Sequence, residues 1–281
     1  MKKQKLVLAM INKLFLSLCL LFLLASCKDA SSNPQDDDST KWTLVWSDEF
    51  DYTGSPDSTK WGYDIGGHGW GNNELQYYSN HPVNVHVEDG KMIIEAKRHE
   101  GSQPEYSSAR VVSRGKGDWT YGRFEIRADI PSGRGTWPAI WMLPTEWIYG
   151  NGGWPDNGEI DIMEHVGYNP NVINASLHSK AYNWPNNTQK TATINIPTAQ
   201  TNFHTYVLEW SPEKIEIYVD TIKYFTSENE NLGWEKWPFD KDFHLILNIA
   251  VGGNWGGAQG IDTTIFPQRM EIDYVKVYKK N

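Results

Sequence analysis

The stretch 121–130, "YGRFEIRADI", alternates Phe124, Ile126, Ala128 and Ile130 with Arg123, Glu125, Arg127 and Asp129. A period of two puts one set of side chains on each face of a pleated strand, so this is a half-buried β-strand. The same rhythm recurs in both directions along the chain. "TYVLEWSPEKIEIYVD", at 205–220, holds two such runs about a Ser211-Pro212 turn, and runs from Trp42 onward are separated by Gly, Pro, Asn and Asp. No stretch of comparable length keeps a helical stripe. Many short strands without intervening helices predict an all-β sandwich of two antiparallel sheets, with the Gly- and Asn-rich stretch "YDIGGHGWGNNELQ", at 63–76, as a loop on a binding rim.

The first 26 residues read differently. Lys2, Lys3, Lys5 and Lys13 flank the apolar run "LFLSLCLLFLLAS", which ends at Cys27. That is a charged region, an apolar region and a small-residue cleavage site, too short for a comfortable membrane span. Leu24-Ala25-Ser26-Cys27 resembles a bacterial lipobox, which implies a signal peptide at 1–26, lipidation of Cys27 and export to the cell envelope. Residues 27–41 are polar and acidic and read as a flexible tether, leaving 42–281 as one domain. Cys19 lies in the segment to be removed and Cys27 is blocked by lipid, so no disulfide or thiolate metal site is expected.

The chain carries a formal charge of −9; losing residues 1–26, with four lysines and no acid, makes it −13. Long-range repulsion then disfavours nucleic acid, sulfated polymers and anionic surfaces. A neutral partner fits better.

The chemistry concentrates in "GEIDIMEH", 158–165, where Glu159, Asp161 and Glu164 interrupt an apolar run. On a regular strand Glu164 would be buried beside Ile160 and Ile162. On a helix, at about 100° per residue, Glu159 and Glu164 lie about 140° apart. One extra residue near Ile162 or Met163, a β-bulge, returns Glu164 to the face of Glu159 and Asp161 and leaves both isoleucines in the core. Two carboxyls so placed, about 5 to 5.5 Å apart, are what a retaining glycosidase needs, one ionised and one protonated, and a third acid between them raises the pKa of the group that stays protonated. Three carboxylates also make a hard-cation site, and an edge strand with accidental acids is the plainer alternative.

Aromatic residues favour the sugar. "GTWPAIWML", 135–143, sets Trp137, Ala139 and Trp141 on one face, flat walls with room between them for a sugar ring. Of 14 tryptophans about half should be structural, Trp210 and Trp42 among them, while Trp147, Trp154, Trp184 and Trp255 sit in loops that could border a cleft. "VINASLH", 172–178, places Asn174, Ser176 and His178 on the side of the acids, with His178 as a hydroxyl partner.

With these residues in hand, the chain resembles the laminarinase-like branch of glycoside hydrolase family 16. The resemblance runs through "WTLVWSDEFDYTG", "WGNNELQYYS", "YGRFEIRADIPSGRGTWPAIWMLP", "GEIDIME", "LNIAVGGNWGG" and "MEIDYVKVY". It implies a concanavalin-A-like jelly roll with a substrate cleft on the concave face. It implies endo-acting hydrolysis of β-1,3-glucan or mixed-linkage glucan with retention, by a monomer that needs no cofactor for catalysis. By position, Glu159 resembles the nucleophile, Glu164 the acid/base and Asp161 the assisting residue; Trp137, Trp141, His178, Asn73 and Trp255 match sugar-contacting positions. A structural Ca²⁺ would map to Glu49, the backbone of Gly90, and Asp273. Two rivals remain: a galactanase of the same architecture, and a surface protein that binds glucan without cutting it.

Overall fold

A computed structural model describes residues 41–281. Cys27, the signal segment and the tether up to residue 40 lie outside the described residues.

In chain order the first strands are β1 (Trp42–Asp48), β2 (Gly62–Tyr63), β3 (Gln76–Tyr78), β4 (Val85–Glu88), β5 (Lys91–Arg98) and β6 (Tyr106–Ser108). Then come β7 (Arg110–Val112), β8 (Asp118–Trp119), β9 (Gly122–Asp129), β10 (Thr136–Pro144), β11 (Glu159–Glu164) and β12 (Val172–His178). The last are β13 (Lys190–Asn195), β14 (His204–Trp210), β15 (Lys214–Val219), β16 (Ile222–Glu228), β17 (Phe243–Val251) and β18 (Gln268–Lys280). One sheet runs β16-β15-β14-β9-β18-β5-β6-β3, with β1 on β18 and β4 on β5; the other runs β13-β12-β11-β10-β17-β7-β2, with β8 on β17. Pairing is antiparallel except between β3 and β6. This is the expected sandwich.

The alternation in β9 plays out residue by residue. Phe124, Ile126 and Ala128 are wholly buried between the sheets, while Arg123 and Arg127 face outward and pair with Glu209 and Asp273. Those ion pairs are partly solvated and add little stability each. The Ser211-Pro212 turn joins β14 to β15 as read, with Trp210 opposite Ile215. β17 differs, because every residue from Phe243 to Val251 is buried. One of its faces meets the core and the other forms the floor of the second sheet's outer face, under the side chains described below.

Trp210 is in the core, but Trp42 is not. It opens β1, which hangs on β18 alone, and opposite Lys280 it is left partly exposed. An edge strand's first residue has no second neighbour to cover it.

Candidate active site

Strand β11 contains the bulge. Against β10, Met163 faces Ile140 and Asp161 faces Trp141; against β12, Asp161 faces Ser176 and Glu164 faces Asn174. Two residues, Ile162 and Met163, thus oppose one on β12. Ile160, Ile162 and Met163 are all fully buried in the core, while Glu159, Asp161 and Glu164 share the opposite face. Gly158, at φ +89°, delivers the chain to Glu159, and a Cβ there would lie 2.9 Å from Pro238 and 3.0 Å from Phe239. Only glycine meets both demands.

The ladder registers set two rows across this face. One contains Asn174, Glu164, Ala139, Asn248 and Arg110; the other contains Ser176, Asp161, Trp141, Ile246 and Val112. Ala139 leaves the space between Trp137 and Trp141 that the sequence indicated. Trp137 donates its indole N–H to Glu164 Oε1 at 3.1 Å, and Trp154 donates to Glu159 Oε2 at 2.9 Å. His178, opposite Glu159 in the ladder, brings Nε2 to 3.3 Å from Asp161 Oδ2 and 3.9 Å from Glu159 Oε1. Its ring also contacts Trp154, with centroids 5.6 Å apart.

The three acids interact electrostatically. Burial, then the charge of Asp161, pushes Glu159 up to about 8, against His178, the Trp154 N–H and Arg110, which pull it down. Burial also raises Asp161, opposed by its hydrogen bond with Glu159. Glu164 is driven well above the usual carboxylate range by burial, Asp161 and Glu159. Three acids crowded on one face oppose one another's ionisation, so they titrate as a unit. Burial and neighbouring charge shift both glutamates in the same direction, so neither spacing nor electrostatics by itself separates a proton donor from a nucleophile.

Ligand atoms of Glu159, Asp161 and His178 lie within 4.8 Å of one another, so the metal alternative has a geometric basis. Hard cations, however, want ionised oxygens, whereas these carboxyls favour protons and the third donor is an imidazole. The arrangement suits proton transfer better.

The loop expected as a rim is fastened over the cleft's other end. Asn73 Nδ2 donates to Asn254 Oδ1 at 2.9 Å and Asn254 N donates to Asn72 O at 2.7 Å. This holds the 252–257 segment so that Trp255 stands edge-on to Trp137, centroids 5.4 Å apart at 78°. No hydrogen bond or ring contact joins Trp147 or Trp184 to the acids among the described residues; both stand exposed, Trp147 on a loop and Trp184 at the start of a 3-10 turn, Trp184–Asn186.

Sequence reasoning passed over Arg110. Its guanidinium lies between the rings of Trp70 and Trp141, 4.8 and 4.7 Å from their centroids, and pairs with Asp64 at 3.1 Å. Asn248 was missed as well: it accepts the Trp141 indole N–H at 2.7 Å and donates to the Tyr78 hydroxyl at 2.9 Å. A lone arginine in the apolar run "ARVV" was the available signal for the first; an asparagine inside "LILNIAV" was the signal for the second.

The proposed calcium ligands fall at one end of the first sheet. Asp48 faces Val275, Ile272 faces Met92, and Gly90 turns the β4–β5 hairpin at φ +71°. Glu49 follows the end of β1 and Gly90 precedes the start of β5, while Asp273 lies mid-strand in β18, between its stretches paired with those two strands. Glu49 pairs with Lys276 at 3.1 Å and Asp273 with Arg127, cations that a bound Ca²⁺ would have to displace.

The sequence model of glycosyl hydrolases family 16 matches residues 71–276. A beta-glucanase of Rhodothermus marinus is 56% identical over 266 residues, covering 92% of this chain and 93% of that protein. The X-ray structure of the laminarinase from Rhodothermus marinus superposes with a TM-score of 0.84 at 58% identity, over 85% of this chain and 98% of the other. A keratan-sulfate endo-1,4-beta-galactosidase of Sphingobacterium multivorum is 38% identical, over 85% of this chain and 56% of that protein.

Proposed function

The chain belongs to glycosyl hydrolases family 16, and from that premise we propose that it is an endo-β-1,3-glucanase that cuts β-1,3-glucan or mixed-linkage β-1,3-1,4-glucan with retention. The observation that carries the mechanism is the bulge in β11, which sets Glu159 and Glu164 on one face with Asp161 between them.

Glu159, once ionised, attacks the anomeric carbon as Glu164 gives its proton to the leaving glycosidic oxygen; the C–O bond to the leaving sugar breaks and a glycosyl ester forms on Glu159. Glu164, now ionised, takes a proton from water, whose oxygen attacks the same carbon from the vacated side and frees Glu159. The Trp154 N–H stabilises the ionised nucleophile. Asp161 lies between the two acids on this face and hydrogen-bonds with Glu159, so it tunes both. Trp137 and Trp141 wall the sugar-binding face, and Arg110, Asn73 and Trp255 extend it.

Substrate choice rests on resemblance and charge. The beta-glucanase is more similar to this chain than the keratan-sulfate galactosidase, and a net charge of −13 without residues 1–26 disfavours a sulfated polymer. The lipobox-like ending at Cys27 supports export and anchoring of the enzyme to the cell envelope by lipid.

Reducing-end release from laminarin, lichenan, agarose and carrageenan, with Glu159→Gln as the control, tests this reading. Activity led by laminarin and lost in the variant supports it. Activity led by a galactan replaces the substrate, and binding without cleavage leaves a glucan-binding protein.

A further inference from the structure

The bulge that makes the site also brings a backbone group within reach of a side chain from the other sheet. Ile162 is passed over by both ladders, between Asp161 and Met163 on the β10 side and between Asp161 and Glu164 on the β12 side. The residue is wholly buried, and its carbonyl receives a side-chain donor at the irregularity. The donor comes from the opposite sheet. Tyr224 Oη points at Ile162 O from 3.4 Å, a long and weak hydrogen bond for a hydroxyl donor.

Tyr224 reaches that carbonyl because its own strand is irregular. Ile217 faces Phe225 and Tyr218 faces Lys223, so Tyr224 is the extra residue of a bulge in β16. The extra residue turns both Tyr224 and Phe225 inward: Phe225 joins the core and Tyr224 packs against it. Two irregularities in different sheets therefore meet at one hydrogen bond, two residues before Glu164.

We propose that Tyr224 is a positioning residue for proton donation: by holding the Ile162 carbonyl from behind, it fixes the β11 bulge and so the place from which Glu164 reaches the leaving oxygen. The proposal rests on the reading of Glu164 as the acid. Electrostatics agree with the geometry, since burial and then the charge of Glu164 raise the Tyr224 phenol far above its ordinary range. Tyr206 provides the comparison. It is also a buried tyrosine of this sheet, but its hydroxyl has no hydrogen-bond partner among the described residues.

The test uses the full chain with two substrates. Laminarin has a sugar leaving group that needs a proton; 2,4-dinitrophenyl β-laminaribioside expels a phenolate that does not, and kcat/KM reports the first bond-breaking step in both. Tyr224→Phe should lower kcat/KM on laminarin about tenfold while leaving the aryl substrate within about twofold, a selective loss equal to one decade of transition-state stabilisation. Tyr206→Phe should show no such selectivity. Equal loss on both substrates, or no loss on either, overturns the proposal, and rates are read below each variant's melting midpoint so that unfolding does not enter. Glu164→Gln separates the two readings. If that variant spares the aryl substrate and Tyr224→Phe does not, Tyr224 fails alone; if Glu164→Gln itself shows no selectivity, the assignment of the acid fails with it.

Discussion

Trp137 donates its indole N–H to Glu164 Oε1 at 3.1 Å, so a ring of the proposed sugar-binding face also regulates a carboxyl. The donor favours the ionised form of Glu164 and holds its pKa below where burial and the neighbouring acids would push it. Trp137→Phe keeps an aromatic surface and removes the donor. The alkaline limb of the kcat/KM profile, where the acid loses its proton, should move to higher pH, and the rate at the optimum should fall about tenfold. A limb that stays in place would show that Trp137 acts on sugar alone.

Burial of Glu159 also affects folding. Its folded pKa is raised from 4.5 to about 8, so its contribution to stability is fully present below pH 4.5 and is lost as pH rises toward about 8. Glu159→Gln removes the ionisation. The variant should lose turnover, keep the fold and melt above the parent at pH 8, with the gap closing near pH 4.5. Equal melting at both pH values would mean that the carboxyl is better solvated than its surroundings suggest.

How much of this was legible in the sequence depended on whether a neighbour was near in the chain. The alternation in β9 and the Trp–Ala–Trp face of β10 are period-two patterns, and the structure keeps them. The bulge was legible because "EIDIME" cannot place three acids and two isoleucines on opposite faces without an extra residue. The positions of Arg110 and Asn248 were not, since each owes its place in the cleft to strands far away in the chain. Trp42 misled because an aromatic next to a strand run looks like core, and only the topology shows that its strand is an edge.

Trp141 carries more than sugar contact. Its ring lies against the Arg110 guanidinium, 4.7 Å to centroid, and its N–H reaches Asn248 at 2.7 Å. Trp141→Ala would remove the sugar's wall and leave Arg110 stacked on Trp70 alone, so affinity for laminari-oligosaccharides should weaken about tenfold, or 1.4 kcal/mol, by calorimetry. Arg110→Met keeps the stem and deletes the charge, and it should weaken binding while Asp64 loses the 3.1 Å partner that holds it. Unchanged affinity in both variants would make this end of the row structural.

Calcium is tested through stability, because the candidate ligands are remote from the acids. Glu49 follows β1 and Gly90 precedes β5, and these two strands pair with β18 on either side of Asp273, so an ion there would tie strands from both ends of the described chain. An ion at one hundred times its dissociation constant stabilises by about 2.7 kcal/mol, or about 5–10 °C in a domain of this size. Chelator should lower the melting temperature by that order and added Ca²⁺ restore it, whereas Asp273→Asn should abolish the response. The carboxylates already pair with Lys276 and Arg127, and that pairing is the competing outcome. If melting ignores both chelator and Ca²⁺, the two ion pairs are the native state of this edge and the resemblance does not extend to the ion.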